Sequence, residues 1–296
     1  MTVDEGTSSW IDEITWSPSG PPWLAMGLTR IDEDRWLLPD HHRNAELEAR
    51  RRLLALRHDE VFAAAQGTEG AGEEVLRLVR DWLRAHDIAW ADAGAAEGAH
   101  PLELAGRLVQ EDLVLMVPRD GGYHLDAAVL CFPSHWRLAD KLGGSAAAIH
   151  GPVPRYEEEL AGRVDRFLAR LRPDNLVARR NWTVHTDDAL FSPTRPAEPP
   201  VVPTSQIGNR LWLRSERQTL RRLPGSRAVL FTIRVQQAPF GVLAGMPRAA
   251  AALAARLRAQ PAELTRMNGL SPYLASVLTW LDTATEKPVG GVDPRP

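Results

Sequence analysis

The sequence predicts an α+β fold in which an antiparallel sheet carries helices on one face. Three observations support this. Residues 113 to 132 and 212 to 235 each read as two extended runs joined by a turn. The stretch NLVARRNWTVHT at 175 to 186 reads as a further strand, and apolar residues recur at helical spacing before, between and after these runs.

Taken in order, residues 1 to 40 mix Trp10, Trp16, Trp23 and Trp36 with the cluster SPSGPPW, which suits an extended arm on a domain surface. From Asn44 to Ala65, Leu47, Leu53, Leu54, Leu56 and Val61 on a charged background predict an amphipathic helix. Glu73 to His86 repeats the pattern with Val75, Leu76, Leu78, Val79 and Leu83. The intervening QGTEGAGE reads as a mobile Gly-rich loop. LVLMV at 113 to 117, the turn RDGG and YHLDAAVLCF at 123 to 132 make the first hairpin.

A short helical region at 134 to 148 leads through HGPVPRY into a helix from about Glu157 to Leu171, with Leu160, Val164, Phe167, Leu168 and Leu171 on one face. After the strand at 175 to 186 comes a Pro-rich loop at 193 to 203, then the second hairpin. Two helices are expected over 246 to 283, and the tail KPVGGVDPRP is expected to fray. Two strands, short helices, one longer helix and three strands is the element order of a PAS-like domain, whose sheet and helices enclose a pocket. The chain then divides into an N-terminal arm with helices (1–98), a PAS-like core (99–245), and C-terminal helices with the tail (246–296).

Composition narrows the function. With 25% charged residues and a net charge of -3, no basic block offers a footprint for nucleic acid. No apolar run approaches the ~18 residues that span a bilayer, and the N-terminus lacks the pattern of a signal peptide, so a cytoplasmic protein is expected. The single cysteine, Cys131, cannot supply an internal disulfide, an iron–sulfur cluster or a structural zinc site. HExxH, GxSxG, Walker and GxGxxG patterns are absent, which removes support for metalloprotease, hydrolase, nucleoside-triphosphatase and Rossmann readings. Lys141 is one of only two lysines against a strong arginine bias, which makes it worth noticing; chance is the plainer explanation of its identity.

The second hairpin poses a sharper question. If its loop, centred on Pro224-Gly225, has two or four residues, strand parity places Trp212, Arg214, Glu216, Gln218 and Leu220 on one face with Val229, Phe231, Ile233 and Val235. Glu216 would then sit on the apolar face. An unpaired buried carboxylate costs several kcal/mol, so it must be paired, most simply with Arg214, or protonated, or turned to a polar pocket. An odd loop reverses the assignment, and an ion pair that only holds the hairpin together accounts for the pattern equally well. Three histidines stand out by context: His100 in AHPLEL, His150 in AIHGPVPRY and His185 in NWTVHT. His150, at the edge of the expected pocket, is placed to reach a haem iron; a surface or capping role is the plainer alternative for each.

The segments HPLELAGRLVQEDLVLM, CFPSHWRLADKLG, IHGPVPRY, RRNW and RSERQTLRRLPGSRAVLFTIR together resemble the haem-dependent oxidative N-demethylase family, over about residues 99 to 240 and more loosely in the Trp-rich arm. The resemblance implies a PAS-like core enclosing haem b. It implies an enzyme, an oxidoreductase of the monooxygenase type that uses dioxygen and two electrons to take a methyl group from a small secondary amine such as dimethylamine. The products are formaldehyde and the primary amine. Electrons would come from NADPH through FMN and a [2Fe-2S] centre on partner polypeptides, a division of labour that a one-cysteine chain fits.

On that likeness His150 becomes the expected proximal ligand to iron. Glu216 is expected to accept a hydrogen bond from the substrate ammonium or relay protons, with Arg214 or Arg217 fixing its charge state. Arg180, Arg217 and Lys141 are candidates for the haem propionates. Asn181 and Trp182 are expected to shape the pocket, Trp182 equally as plain core. A non-catalytic PAS-like haem or small-molecule sensor is the alternative, and a purely structural subunit a third.

Overall fold

A computed structural model of the protein describes residues 5–14, 24–90, 97–119 and 122–286. Trp16, Trp23 and the SPSGPPW cluster, the centre of the RDGG turn and the KPVGGVDPRP tail lie outside the described residues. Strands β1 (Thr29–Arg30), β2 (Phe62–Ala64), β3 (Asp112–Arg119), β4 (Gly122–Val129), β5 (Val177–His185), β6 (Trp212–Arg222) and β7 (Val229–Pro239) form one antiparallel sheet. Their spatial order is β1-β5-β6-β7-β3-β4-β2.

All five strands expected from the sequence form. The two edge strands were not expected, and they come from outside the 99–245 segment. Of these, β2 corrects the helix predicted to run from Asn44 to Ala65. The helix ends at Leu56, a second short one covers His58–Val61, and Phe62, Ala63 and Ala64 pair with Val129, Ala128 and Ala127. Alanine favours helix only by tenths of a kcal/mol, and the open edge of β4 offers it a hydrogen-bonding ladder.

The QGTEGAGE segment is likewise only partly loop, because helix Glu69–Ala85 begins inside it. Its Gly72 is a packing residue: a Cβ there would lie 2.9 Å from the His100 ring and 3.0 Å from the Leu102 amide nitrogen. The glycine lets helix Pro101–Gly106 approach closely, a requirement that looks like flexibility in sequence. The region 134 to 148 holds a single 3-10 turn, Leu138–Asp140, and the short helix Ala146–His150. The expected helix after it starts as a π-helical turn, Glu157–Ala161, and continues as Gly162–Arg170. At the C-terminus there are three α-helices, Pro247–Ala259, Ala262–Met267 and Leu274–Glu286, where two were expected.

Period-2 alternation assigns the two faces of the sheet. One face presents Arg179, Asn181, Glu216, Gln218 and Arg222, and Arg222 donates to the carbonyls of Leu168 and, at 2.5 Å, Leu171. The helices between β4 and β5 therefore lie on this side. The opposite face presents Arg180, Arg217 and Arg234, which hold Glu13, the Trp36 carbonyl, and Asp40 with Glu46. N-terminal segments cover that side, and Val184, Leu213 and Ala238 carry it on into a second core with Leu253, Leu257 and Leu281 of the C-terminal helices. Each such fully buried leucine contributes roughly 1.5–3 kcal/mol.

Candidate functional site

The β6–β7 hairpin closes with the Leu223 amide donating to the Ala228 carbonyl at 2.8 Å, leaving the four-residue loop 224 to 227. Parity is thus even, Glu216 pairs with Val235, and the carboxylate lies on the face shared with Ile233 and Phe231. Glu216 is 9% exposed. Its Oε2 accepts from Asn181 Nδ2 at 3.1 Å and Gln218 Nε2 at 2.9 Å, while its own amide donates to Asn181 Oδ1 at 3.3 Å. Asn181 stands directly across from it on β5, so one cross-strand pair supplies both contacts.

The expected ion pair between Glu216 and Arg214 does not form. Arg214, 1% exposed, donates instead to Ser134 Oγ at 2.8 Å, Gln237 Oε1 at 3.3 Å and the carbonyls of Phe132, Pro133, Ala189 and Leu190 at 2.8–3.2 Å. Loss of hydration pushes its pKa down to about 10, with the Glu216 charge acting in the opposite sense, so it stays cationic at neutral pH. It ties two loops to the sheet. Arg217, one residue past Glu216, projects to the opposite face and donates to the carbonyls of Arg35 and Trp36. Burial lowers its pKa to about 10 as well.

His150 is the last residue of its helix, and its Nδ1 lies 2.8 Å from the Ala146 carbonyl one turn back. A carbonyl can only accept, so Nδ1 carries the proton and Nε2 keeps its lone pair. The ring stacks on Tyr156 with centroids 4.7 Å apart and planes 9° from parallel. Desolvation lowers the His150 pKa against the opposing pull of the carbonyl, and the charges of Arg179 and Lys141 lower it further, which keeps the imidazole neutral. Lys141 Nζ donates to the Ile149 carbonyl at 2.5 Å, capping this helix. Tyr156 is 4% exposed, and its hydroxyl has no partner among the described residues. Leu24, Met26, Val153, Leu160 and Val164 pack around it.

Arg179 and Tyr156 complete the constellation, and the sequence reading missed both; it placed Gln218 on the Glu216 face but gave it no role. Arg179 is half-buried on the Glu216 face, directly opposite Gln218, with Nε donating to Gln218 Oε1 at 2.8 Å. Alternation along β5 was the available signal, since Arg179 has the parity of Asn181 and Arg180 does not. Arg180, which the sequence suggested, projects to the other face onto Glu13 at 2.8 Å. Trp182 shares that parity and packs against the C-terminal core.

The other two histidines are occupied elsewhere. His100 accepts from the Leu102 amide at 3.1 Å and caps a helix. His185 stacks on His135 at 4.1 Å. A separate cleft of about 500 Å³ between the start of helix Glu69–Ala85 and the Gly225–Ser226 loop is lined by none of the candidate catalytic or haem-binding residues. Among the described residues, no group of three or more His, Cys, Asp or Glu is arranged to hold a metal ion, and no helix is long and apolar enough to cross a membrane.

Seven groups thus gather on one side of β5 and β6: a neutral imidazole, a phenol, a guanidinium, a lysine ammonium, two amides and a carboxylate. The family model described as "Haem-dependent oxidative N-demethylase, alpha subunit-like" matches residues 84–278, which is more than half of the chain and includes all seven.

Proposed function

The chain belongs to the haem-dependent oxidative N-demethylase, alpha subunit-like family, and from that premise we propose that it binds haem b at His150 and demethylates a small secondary amine of the dimethylamine type. The observation that carries the reading is the Nδ1 contact of His150 with the Ala146 carbonyl, which leaves the Nε2 lone pair for iron. The residues suit the group: a neutral imidazole backed by a carbonyl, an apolar and aromatic surround, and the cations Arg179 and Lys141 nearby.

Bound haem b would supply dioxygen activation, and the overall change is amine plus O2, two electrons and two protons going to primary amine, formaldehyde and water. The protein's part is to bind, orient and manage protons. Glu216 receives the substrate ammonium, since its Oε2 is already held by Asn181 and Gln218 and a carboxylate has acceptor capacity beyond two bonds. Arg214 holds the loops that frame this face and stays charged behind Glu216. Tyr156, unpartnered beside His150, offers a hydroxyl donor to a ligand in the site.

In this reading the sheet with the helices between β4 and β5 is the PAS-like core. The two electrons arrive from NADPH through FMN and a [2Fe-2S] centre on partner polypeptides. Cys131 takes no part, because burial pushes its thiol up to about 12. The test is spectroscopic. Purified protein should carry or take up haemin with a Soret band that dimethylamine shifts, and should release formaldehyde when a reductase is supplied. Protein that takes up no haemin refutes the reading; haem binding without turnover identifies a sensor.

A further inference from the structure

Seven strands carry many arginines, and those of β5 and β6 are almost all saturated. Arg180 is paired with Glu13 and Arg221 with Glu33; Arg214, Arg217 and Arg222 are filled by backbone carbonyls. Arg179 differs. Its Nε is held by Gln218 at 2.8 Å, one terminal nitrogen reaches the Met26 carbonyl only at 3.4 Å, and among the described residues no carboxylate lies within ion-pair distance. A half-dehydrated guanidinium with donors to spare is a costly arrangement unless an anion arrives.

Its surroundings specify the anion. Gln218 stands between Arg179 and Glu216, accepting from the first through Oε1 and donating to the second through Nε2. The amide keeps cation and anion from neutralising each other while fixing both head groups. As diagonal cross-strand neighbours they are roughly 7 Å apart at Cβ, so each charge remains available to a ligand. The planar fork of the guanidinium matches a carboxylate in two-point contact.

We propose that Arg179 is the carboxylate anchor of this site, binding either a propionate of the haem or the carboxylate of an amine substrate that is itself an N-methyl amino acid. The inference rests on the reading that this face receives haem and amine. Arg180, one residue away, plays no part in it.

The experiment titrates wild type, Arg179→Met, Arg179→Lys and Arg180→Met with haemin and with haemin dimethyl ester, following the Soret band. N-methylglycine and dimethylamine are then added to each haem-loaded protein, with circular dichroism confirming the fold. If propionate is the partner, Arg179→Met weakens haemin binding at least about tenfold, the dimethyl ester binds wild type and variant alike, and Arg179→Lys recovers part of the loss. If the substrate carboxylate is the partner, haemin affinity holds and Arg179→Met loses the N-methylglycine response while keeping that to dimethylamine. Unchanged haemin and N-methylglycine binding in folded Arg179→Met overturns the inference and leaves the haem reading intact; so does equal loss in Arg180→Met. Should wild type take up no haemin, the haem reading fails. Calorimetry of N-methylglycine on the colourless protein then decides this point, binding lost in Arg179→Met supporting it and equal or absent binding overturning it.

Discussion

The Nδ1 atom of His150 lies 2.8 Å from the Ala146 carbonyl in a helix of only five residues, so the orientation of the imidazole is set by the same turn that ends the helix. Orientation and tautomer come from one bond. His150→Gly should therefore abolish iron–imidazole ligation on haemin addition, and free imidazole should restore the five-coordinate spectrum. An unchanged spectrum in His150→Gly would move the ligand to another residue.

Glu216→Gln removes a charge while keeping an oxygen to accept from Asn181 and Gln218. The variant should fold and take up haemin as wild type does. Its amine-induced Soret shift should weaken about tenfold or more, and formaldehyde release should fall about 10²-fold if the carboxylate handles a proton. Equal turnover by the variant would leave Glu216 a structural residue of the hairpin.

Arg214 fills acceptors from two loops, 132–134 and 189–190, that are otherwise joined by the Ser134–Ser192 bridge and the His135 amide donating to the Ser192 carbonyl. Arg214→Met strands buried carbonyls and should cost about 3–5 kcal/mol of stability in urea denaturation. Arg214→Lys should recover little, because an ammonium has three donors from one point and cannot replace a planar fork. A loss below about 1 kcal/mol would mean that water takes over the acceptors.

The stacked pair His135 and His185 predicts an acid sensitivity. Desolvation first, with the Arg195 and Arg214 charges behind it, lowers His135 to about 4; desolvation, Arg214 and His135 lower His185 to about 2. Below the ordinary histidine value of about 6.5 the unfolded chain takes up protons that the folded chain refuses. Stability is complete above that pH and falls as pH drops from about 6.5 towards 4, by on the order of 3 kcal/mol for each histidine. Urea midpoints at pH 8, 6.5 and 5 measure it. His185→Leu should flatten the profile, and an identical slope in that variant would exclude the pair as the cause.

How much was legible can be argued from particular residues. Strands β3 to β7 announced themselves because run length, β-branched content and turn residues all agreed. β2 did not, since Phe62-Ala-Ala continues a helical pattern and becomes a strand only where β4 leaves an edge open. Gly72 looked like loop and is packing. In the site, Glu216 was singled out as a question of which face it shares and Asn181 as a pocket residue, but Arg180 was favoured over Arg179 because two adjacent arginines are indistinguishable until parity is known.

By itself the sequence determined the family, the antiparallel α+β class and the presence of a lone acid among apolar strand positions, because these depend on composition, periodicity and local turn chemistry. The tertiary structure alone decided which groups meet. The even loop of the β6–β7 hairpin sent Glu216 and Gln218 to one face and Arg217 to the other, and the β5 register brought Arg179 and Asn181 beside them. Arg214 was diverted from Glu216 because loops 132–134 and 189–190 presented it with more acceptors than one carboxylate could. Parity, register and competition for donors are relations between distant segments, and no short window of sequence contains them.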